Sequence, residues 1–401
     1  MAGGAGEDAL GHVSPGFEPV AEAFAAQLLA QGALGAACTI YLRGEKVVDL
    51  WGGWKTRERR EPWTEDTMVL GYSLTKGVTG LTCAVAASQG LFSYDEPVID
   101  IWPEFGAHGK HTVTVGQLLS EQAGVAAIDI RLTPANMGRQ DLMASAIARQ
   151  RPNWRPGEWA GNHSYTLGWL ASELIRRRDP SRRSLGAFFR EELAAPLAAE
   201  FYIGLPPEIP RERLARVDGF GLADLVTRHA NMPWRLVVDL YLPWSLSFRA
   251  LNNPLLLKGP AELDAERWRG MELGAIGGIG TARALAALYN AFACPTDALP
   301  LDPAVLALLA EGFAAPRCGR LDQVIKDELV YSLCFEKPGE GWRFGTPAAY
   351  GSFAVGGSFA FADPADGVAY AWMTNSLGLY KRDDPRELAV RRAFYRCIRR
   401  T

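Results

Sequence analysis

The sequence predicts an α+β fold in which one sheet is assembled from both ends of the chain and a helical block is inserted between them. Three observations predict it. Short β-branched and apolar runs lie near the start, at residues 36–42 and 46–50. Similar runs lie near the end, at 329–335, 348–355, 358–362 and 368–374. Between them, from about 113 to 286, the chain is helix-rich and broken by many prolines and tryptophans. Two termini feeding one sheet make an intertwined unit. Residues 1–105 and 287–401 are expected to form the sheet domain, and 106–286 the helical domain.

Each element has a local reason. Residues 19–31 are apolar at helical spacing (Val20, Phe24, Leu28), and Gly32 stops that helix. Arg43-Gly44-Glu45 joins the first two runs as a hairpin. Trp51-Gly52-Gly53-Trp54 reads as the turn beyond it. A helix follows Ser73, runs to Ser88 or Gln89, and closes at Gly90. The chain ends in a helix over 385–399. The Gly/Ala-rich first ten residues read as flexible.

Bulk properties exclude several functions. The chain has 401 residues, 48% of them hydrophobic, enough for a large core. A net charge of -3 argues against a nucleic-acid binder, which would be basic. No run of about 18 apolar residues suggests a membrane span. The opening MAGGAGEDALGHVSPGFEPV has no basic region followed by an apolar core, so no signal peptide is expected. The six cysteines show no paired spacing, which fits free thiols in a reducing cytoplasm. His108 and His111 stand near each other without Cys or acidic neighbours, so no metal site is expected, and no cofactor.

The stretch GYSLTKGVTG, residues 71–80, carries the chemistry. Ser73 and Lys76 are three residues apart at a helix start. Serine is a common helix N-cap, and Lys76 would then be an ordinary first-turn residue. The same spacing puts both side chains on one face. A lysine desolvated there can take the serine proton, and exposed helix N–H groups favour an oxyanion. Tyr72, Leu74, Val78, Leu81 and Val85 favour burial of that lysine.

TEDTMVLGYSLTKGVTG resembles the nucleophile segment of the serine β-lactamase and penicillin-binding-protein superfamily, closest to the class C β-lactamase-like family VIII carboxylesterases. Further segments follow in family order: GAACTIYLRGEKVVDLWGGW, the stretch from GLFSYDEPVIDIW to LLSEQAGV, WRPGEWAGNHSYTLGWLASELIRR, GGIGTARALAALY and YGSFAVGGSFAFADPADGVAYAWMTN. The resemblance implies a β-lactamase-like α+β fold: an antiparallel sheet of about five strands with flanking terminal helices, plus an all-helical domain. It implies Ser73 as the nucleophile and Lys76 as its partner. It also implies an oxyanion hole from the backbone N–H groups of Ser73 and Val355.

The sequence departs from that pattern at three places. The second motif should carry a tyrosine after Pro156-Gly157 and four further residues, and Asn162 stands there. An amide does not titrate and cannot be a base. The third motif should read His-x-Gly ahead of Gly356-Gly357-Ser358, and Ser352-Phe353-Ala354 stand there. Glu121 in LLSEQAG takes a position where the family commonly has histidine.

Three readings follow. Ser73 and Lys76 suffice, with Asn162 holding the lysine or the substrate. Alternatively Tyr165 or His163 replaces the missing base; as ordinary residues these would be a core aromatic beside Trp169 and a structural hydrogen-bonder. In the third reading the site only binds a small molecule. Trp234 and Trp244 each follow a proline and are expected to line an apolar acyl pocket. The expected reaction is acyl transfer through Ser73 from a small-molecule ester or amide, with water, an amine or an alcohol as acceptor. No nucleic-acid or membrane partner is expected.

Overall fold

The protein is described from a computed structural model covering residues 9–30, 34–220, 232–256, 259–380 and 382–399. The expected helix end at Gln31 and Gly32 lies outside the described residues, as do eight of the ten residues read as flexible. The strands are β1 (Leu10–Val13), β2 (Gly35–Leu42), β3 (Glu45–Gly53), β4 (Val69–Leu70), β5 (Phe201–Ile203), β6 (Gly278–Gly280), β7 (Val330–Ser332), β8 (Phe335–Lys337), β9 (Tyr350–Phe353), β10 (Phe359–Asp363) and β11 (Val368–Thr374).

The main sheet is antiparallel and has eight strands, ordered β1-β3-β2-β11-β10-β9-β8-β7. This corrects the expected five. The middle strands, β3 to β9, match five of the six runs read from the sequence, built from both ends of the chain, and the sixth, 329–335, holds β7 and the turn into β8. The additions lie at the edges. Strand β1 is mostly exposed, so it carries little hydrophobic pattern. Strands β7 and β8 were hidden inside one apolar run. They are joined by a two-residue turn at Leu333 and Cys334, with φ of 52° and 73°, a conformation usually signalled by Gly or Asn. That turn is pinned from outside: Leu333 N–H donates to Ser120 Oγ at 3.0 Å. The expected Trp51-Gly52-Gly53 turn is instead the end of β3, while Arg43 and Gly44, both with positive φ, make the β2–β3 turn.

A second sheet of three strands, β4-β6-β5, was not anticipated. Strands β5 and β6 fall inside the block expected to be all-helical. Strand β4 pairs with β6 and delivers the chain to Gly71, whose N–H donates to the Gly278 carbonyl at 2.8 Å.

The main sheet separates two cores by residue size. On one face Ala36, Cys38, Ile40, Val368, Tyr370 and Trp372 pack with Phe24 of helix α1 (Glu18–Ala30) and Val390, Ala393 and Phe394 of the C-terminal helix Pro385–Ile398. On the other face, Ala360, Ala362, Ala369 and Ala371 are small and let the helix Ala282–Ala293 approach. Helix α2 (Leu74–Ser88) is buried from Leu74 to Ala86 and is the centre of that second core. Gly77 is required there: a Cβ would lie 2.0 Å from Tyr289 Oη and 3.2 Å from Ser352 Cβ. The close approach brings the α2 start against β9. Among the described residues no helix is long and apolar enough to cross a membrane.

Candidate active site

Ser73 occupies the N-cap position of α2, with φ -64° and ψ -10°, but its hydroxyl caps no helix N–H. The preceding Tyr72 has a left-handed backbone, φ 48°. The Ser73 carbonyl is held by Ser352 Oγ–H at 2.9 Å and by Lys76 N–H at 3.0 Å. The serine is thereby fixed by its backbone, with its hydroxyl left free of capping duty. Among the described residues, neither Ser73 N–H nor Val355 N–H donates to a backbone acceptor. Both residues face the same cavity.

Lys76 is wholly buried, one turn into α2. Its Nζ donates to Glu121 Oε1 at 2.8 Å and to Asn162 Oδ1 at 3.1 Å. Among the described residues the amine bonds these two groups and not the Ser73 hydroxyl. Asn162 is itself clamped. Its N–H donates to Asp322 Oδ2 at 2.9 Å, and Asp322 also accepts the Tyr331 hydroxyl at 2.6 Å. Its Oδ1 also accepts from Ser164 Oγ at 2.6 Å, so one amide oxygen joins the buried lysine to a hydroxyl at the cavity wall.

Glu121 sits at φ 60°, and its Oε2 accepts the His163 backbone N–H at 2.8 Å. Burial lowers the His163 imidazole to about 3, so the ring is neutral. Its Nε2 accepts Val125 N–H at 3.1 Å, which leaves Nδ1 as the donor to the Gly161 carbonyl at 2.6 Å. Both nitrogens are committed to backbone, so His163 is structural. Tyr165 is buried and lines the cavity wall, and burial raises its hydroxyl far above the usual range. It is not among the partners of Lys76. Buried Glu336 on β8 completes the surroundings; burial pushes its carboxyl up to about 8.

The cavity beside Ser73 has two adjoining lobes of about 190 Å³ and about 230 Å³. Ser73, Ser164, Phe220, Met232, Leu240, Leu251 and Val355 border both. Leu236, Ile325 and Phe353 extend the first, and Leu256, Leu263 and Ile276 the second. Among the described residues, no charged side chain lines either lobe. The tryptophan expectation is corrected: Trp234 and Trp244 are 68% and 75% exposed and line neither lobe. The helix Trp234–Asp239 turns its opposite side, with Leu236, to the cavity. Of the third-motif positions, Ser352 and Ala354 are buried, and Gly356 takes φ 94° in the connection between β9 and β10. Among the described residues no group of three or more His, Cys, Asp or Glu is placed to hold a metal ion.

Sequence reasoning noticed Glu121 only as a departure and gave it no role. It missed Ser164, Asp322 and Tyr331 altogether. Asp322 lies 160 positions from Asn162, and nothing local announces their bond.

The sequence model of the Beta-lactamase family matches residues 20–393. The chain is 31% identical over 387 residues to the esterase/beta-lactamase LipL of Mycobacterium tuberculosis (strain H37Rv), covering 93% of this chain and 84% of that protein. The crystal structure of a family VIII carboxylesterase superposes with a TM-score of 0.84 at 32% identity, covering 97% of this chain and 100% of that one. A penicillin-binding protein homolog from Caulobacter crescentus gives 0.83 and 32% over the same shares. The chain belongs to the Beta-lactamase family.

Proposed function

We propose that the protein transfers acyl groups through an acyl-enzyme on Ser73. One observation carries the reading: an uncapped serine hydroxyl opens onto an apolar cavity, one helical turn from a fully buried lysine. Lys76 takes the Ser73 proton and Oγ attacks the acyl carbon. The N–H groups of Ser73 and Val355 hold the oxyanion. Asn162 positions the amine and does not replace a tyrosine as base. Water, an alcohol or an amine then resolves the intermediate. Esterase and carboxylesterase relatives at about a third identity support this class of reaction.

Among the described residues the lining is uncharged, which favours a neutral ester with apolar groups on both sides of its carbonyl, one in each lobe. Amides remain within the chemistry. Among the described residues, neither lobe offers a cation to the carboxylate of a β-lactam. Six free cysteines suit a cytoplasmic setting.

One observation favours binding without turnover: the lysine amine is engaged by Glu121 and Asn162. Intact-mass measurement with p-nitrophenyl butyrate and with a fluorophosphonate separates the two. The expected result is one adduct on the native chain and none on Ser73→Ala. Full turnover by Ser73→Ala would overturn the proposal.

A further inference from the structure

Glu121 has no part in the steps above, yet it is the group nearest the base. Its Oε1 lies 2.8 Å from Lys76 Nζ, and both side chains are about 1% exposed. A lysine held as ammonium against a carboxylate has no lone pair to offer Ser73. The amine must first give up a proton, and solvent does not reach it. The neutral amine–acid form differs from the ion pair by one proton moved along this bond. The short Nζ–Oε1 bond is the path between the two forms.

The carboxylate is aimed for this. Oε2 is fixed by the His163 N–H, and the backbone at φ 60° turns the side chain under α2. Oε1 is left to Lys76. Because Asn162 cannot titrate, Glu121 is, among the described residues, the one acid bonded directly to the amine.

We propose that Glu121 is a positioning residue that makes Lys76 a base, accepting a proton from Nζ as Nζ accepts the Ser73 proton. This rests on the acyl-enzyme reading. The balance closes. One Nζ–H bond breaks as Oε1–H forms, and the Ser73 Oγ–H bond breaks as a new Nζ–H forms. Oγ bonds the ester carbon while the carbonyl pair moves to oxygen. On collapse the ester C–O bond breaks, the leaving oxygen takes a proton from Nζ, and Nζ recovers one from Oε1. The resting pair is restored without any co-reactant.

The other titratable groups facing the pair do not provide this store. His163 is neutral across the working range. Burial holds Tyr331 and Cys334 protonated. Asp322 is committed to Asn162 and Tyr331. Glu336 ionises only near 8, where it adds negative charge beside the pair.

The test is the pH dependence of kcat/KM for p-nitrophenyl butyrate in the native protein and Glu121→Gln. In Glu121→Gln the amide cannot take the Nζ proton, so only protein whose amine is already neutral can react. Its acid limb should move to higher pH, with the rate rising up to about tenfold per pH unit along it. Two parallel profiles, lowered uniformly, would overturn the proposal and leave Glu121 a structural residue. A second measurement on the native chain guards against a variant that does not fold. Acylation in H2O/D2O mixtures should show a bowed dependence, from two protons in motion; a linear one overturns the proposal. Labelling of Ser73→Ala equal to native would instead defeat the acyl-enzyme reading itself.

Discussion

Two buried lysines in this protein invite comparison. Lys110 donates to three carbonyls, those of Ala107 at 2.8 Å, Ala148 at 3.2 Å and Gln150 at 2.6 Å. All three of its N–H directions are used by backbone. Burial lowers its amine to about 8, and among the described residues no carboxylate offsets that. Lys76 is as deeply buried, but its two partners are the side chains of Glu121 and Asn162. Among the described residues nothing takes its third direction, and Ser73 is one turn away. A buried lysine is therefore no sign of chemistry by itself. What distinguishes the two is the kind of partner and whether the amine is saturated.

The strongest way to break this comparison is to remove each amine. Lys76→Met should lower kcat/KM by roughly a hundredfold to ten-thousandfold, the range of a lost general base, in an ester hydrolysis assay. Comparable activity in that variant would put the chemistry elsewhere. Lys110→Met should do the opposite. Three carbonyls lose their donor, and denaturant unfolding should show a loss of about 2–4 kcal/mol, with kcat/KM within about twofold of native.

The smallest effect sharpens the electrostatics around Lys76. The Glu336 carboxyl is raised from 4.5 to about 8 by burial, so the folded state binds the extra proton between those values. Its contribution to stability is complete below about pH 4.5 and is lost as pH rises through about 8. Glu336→Gln should flatten the fall in Tm over that window. An unchanged slope would show that another group titrates there.

How much of this was legible in the sequence depends on the range of the interaction. Strand β11 was read to its ends because Val368–Thr374 is buried on both faces and needs no pattern. Ser73 and Lys76 were legible because one helical turn relates them. The β7–β8 turn was not, since Leu333 and Cys334 adopt left-handed backbone under contacts with Ser120 and Leu119 more than two hundred positions away. The pairing of Glu121 with Lys76 spans 45 positions and crosses elements, so a single sequence shows only an unusual residue. Trp234 and Trp244 misled because a proline before a tryptophan marks a loop or helix start and says nothing of which side faces the cavity.

The backbone of Glu121 has a consequence for selection. At φ 60° a residue with a Cβ is strained by about 1–2 kcal/mol, whereas glycine is comfortable and asparagine nearly so. Stability alone would push this position toward those two residues. Lineages or libraries kept only for folding should drift there, while those kept for catalysis should hold an acid against the backbone's preference. Position 121 is in that sense a gauge of which pressure has shaped a given copy of this chain.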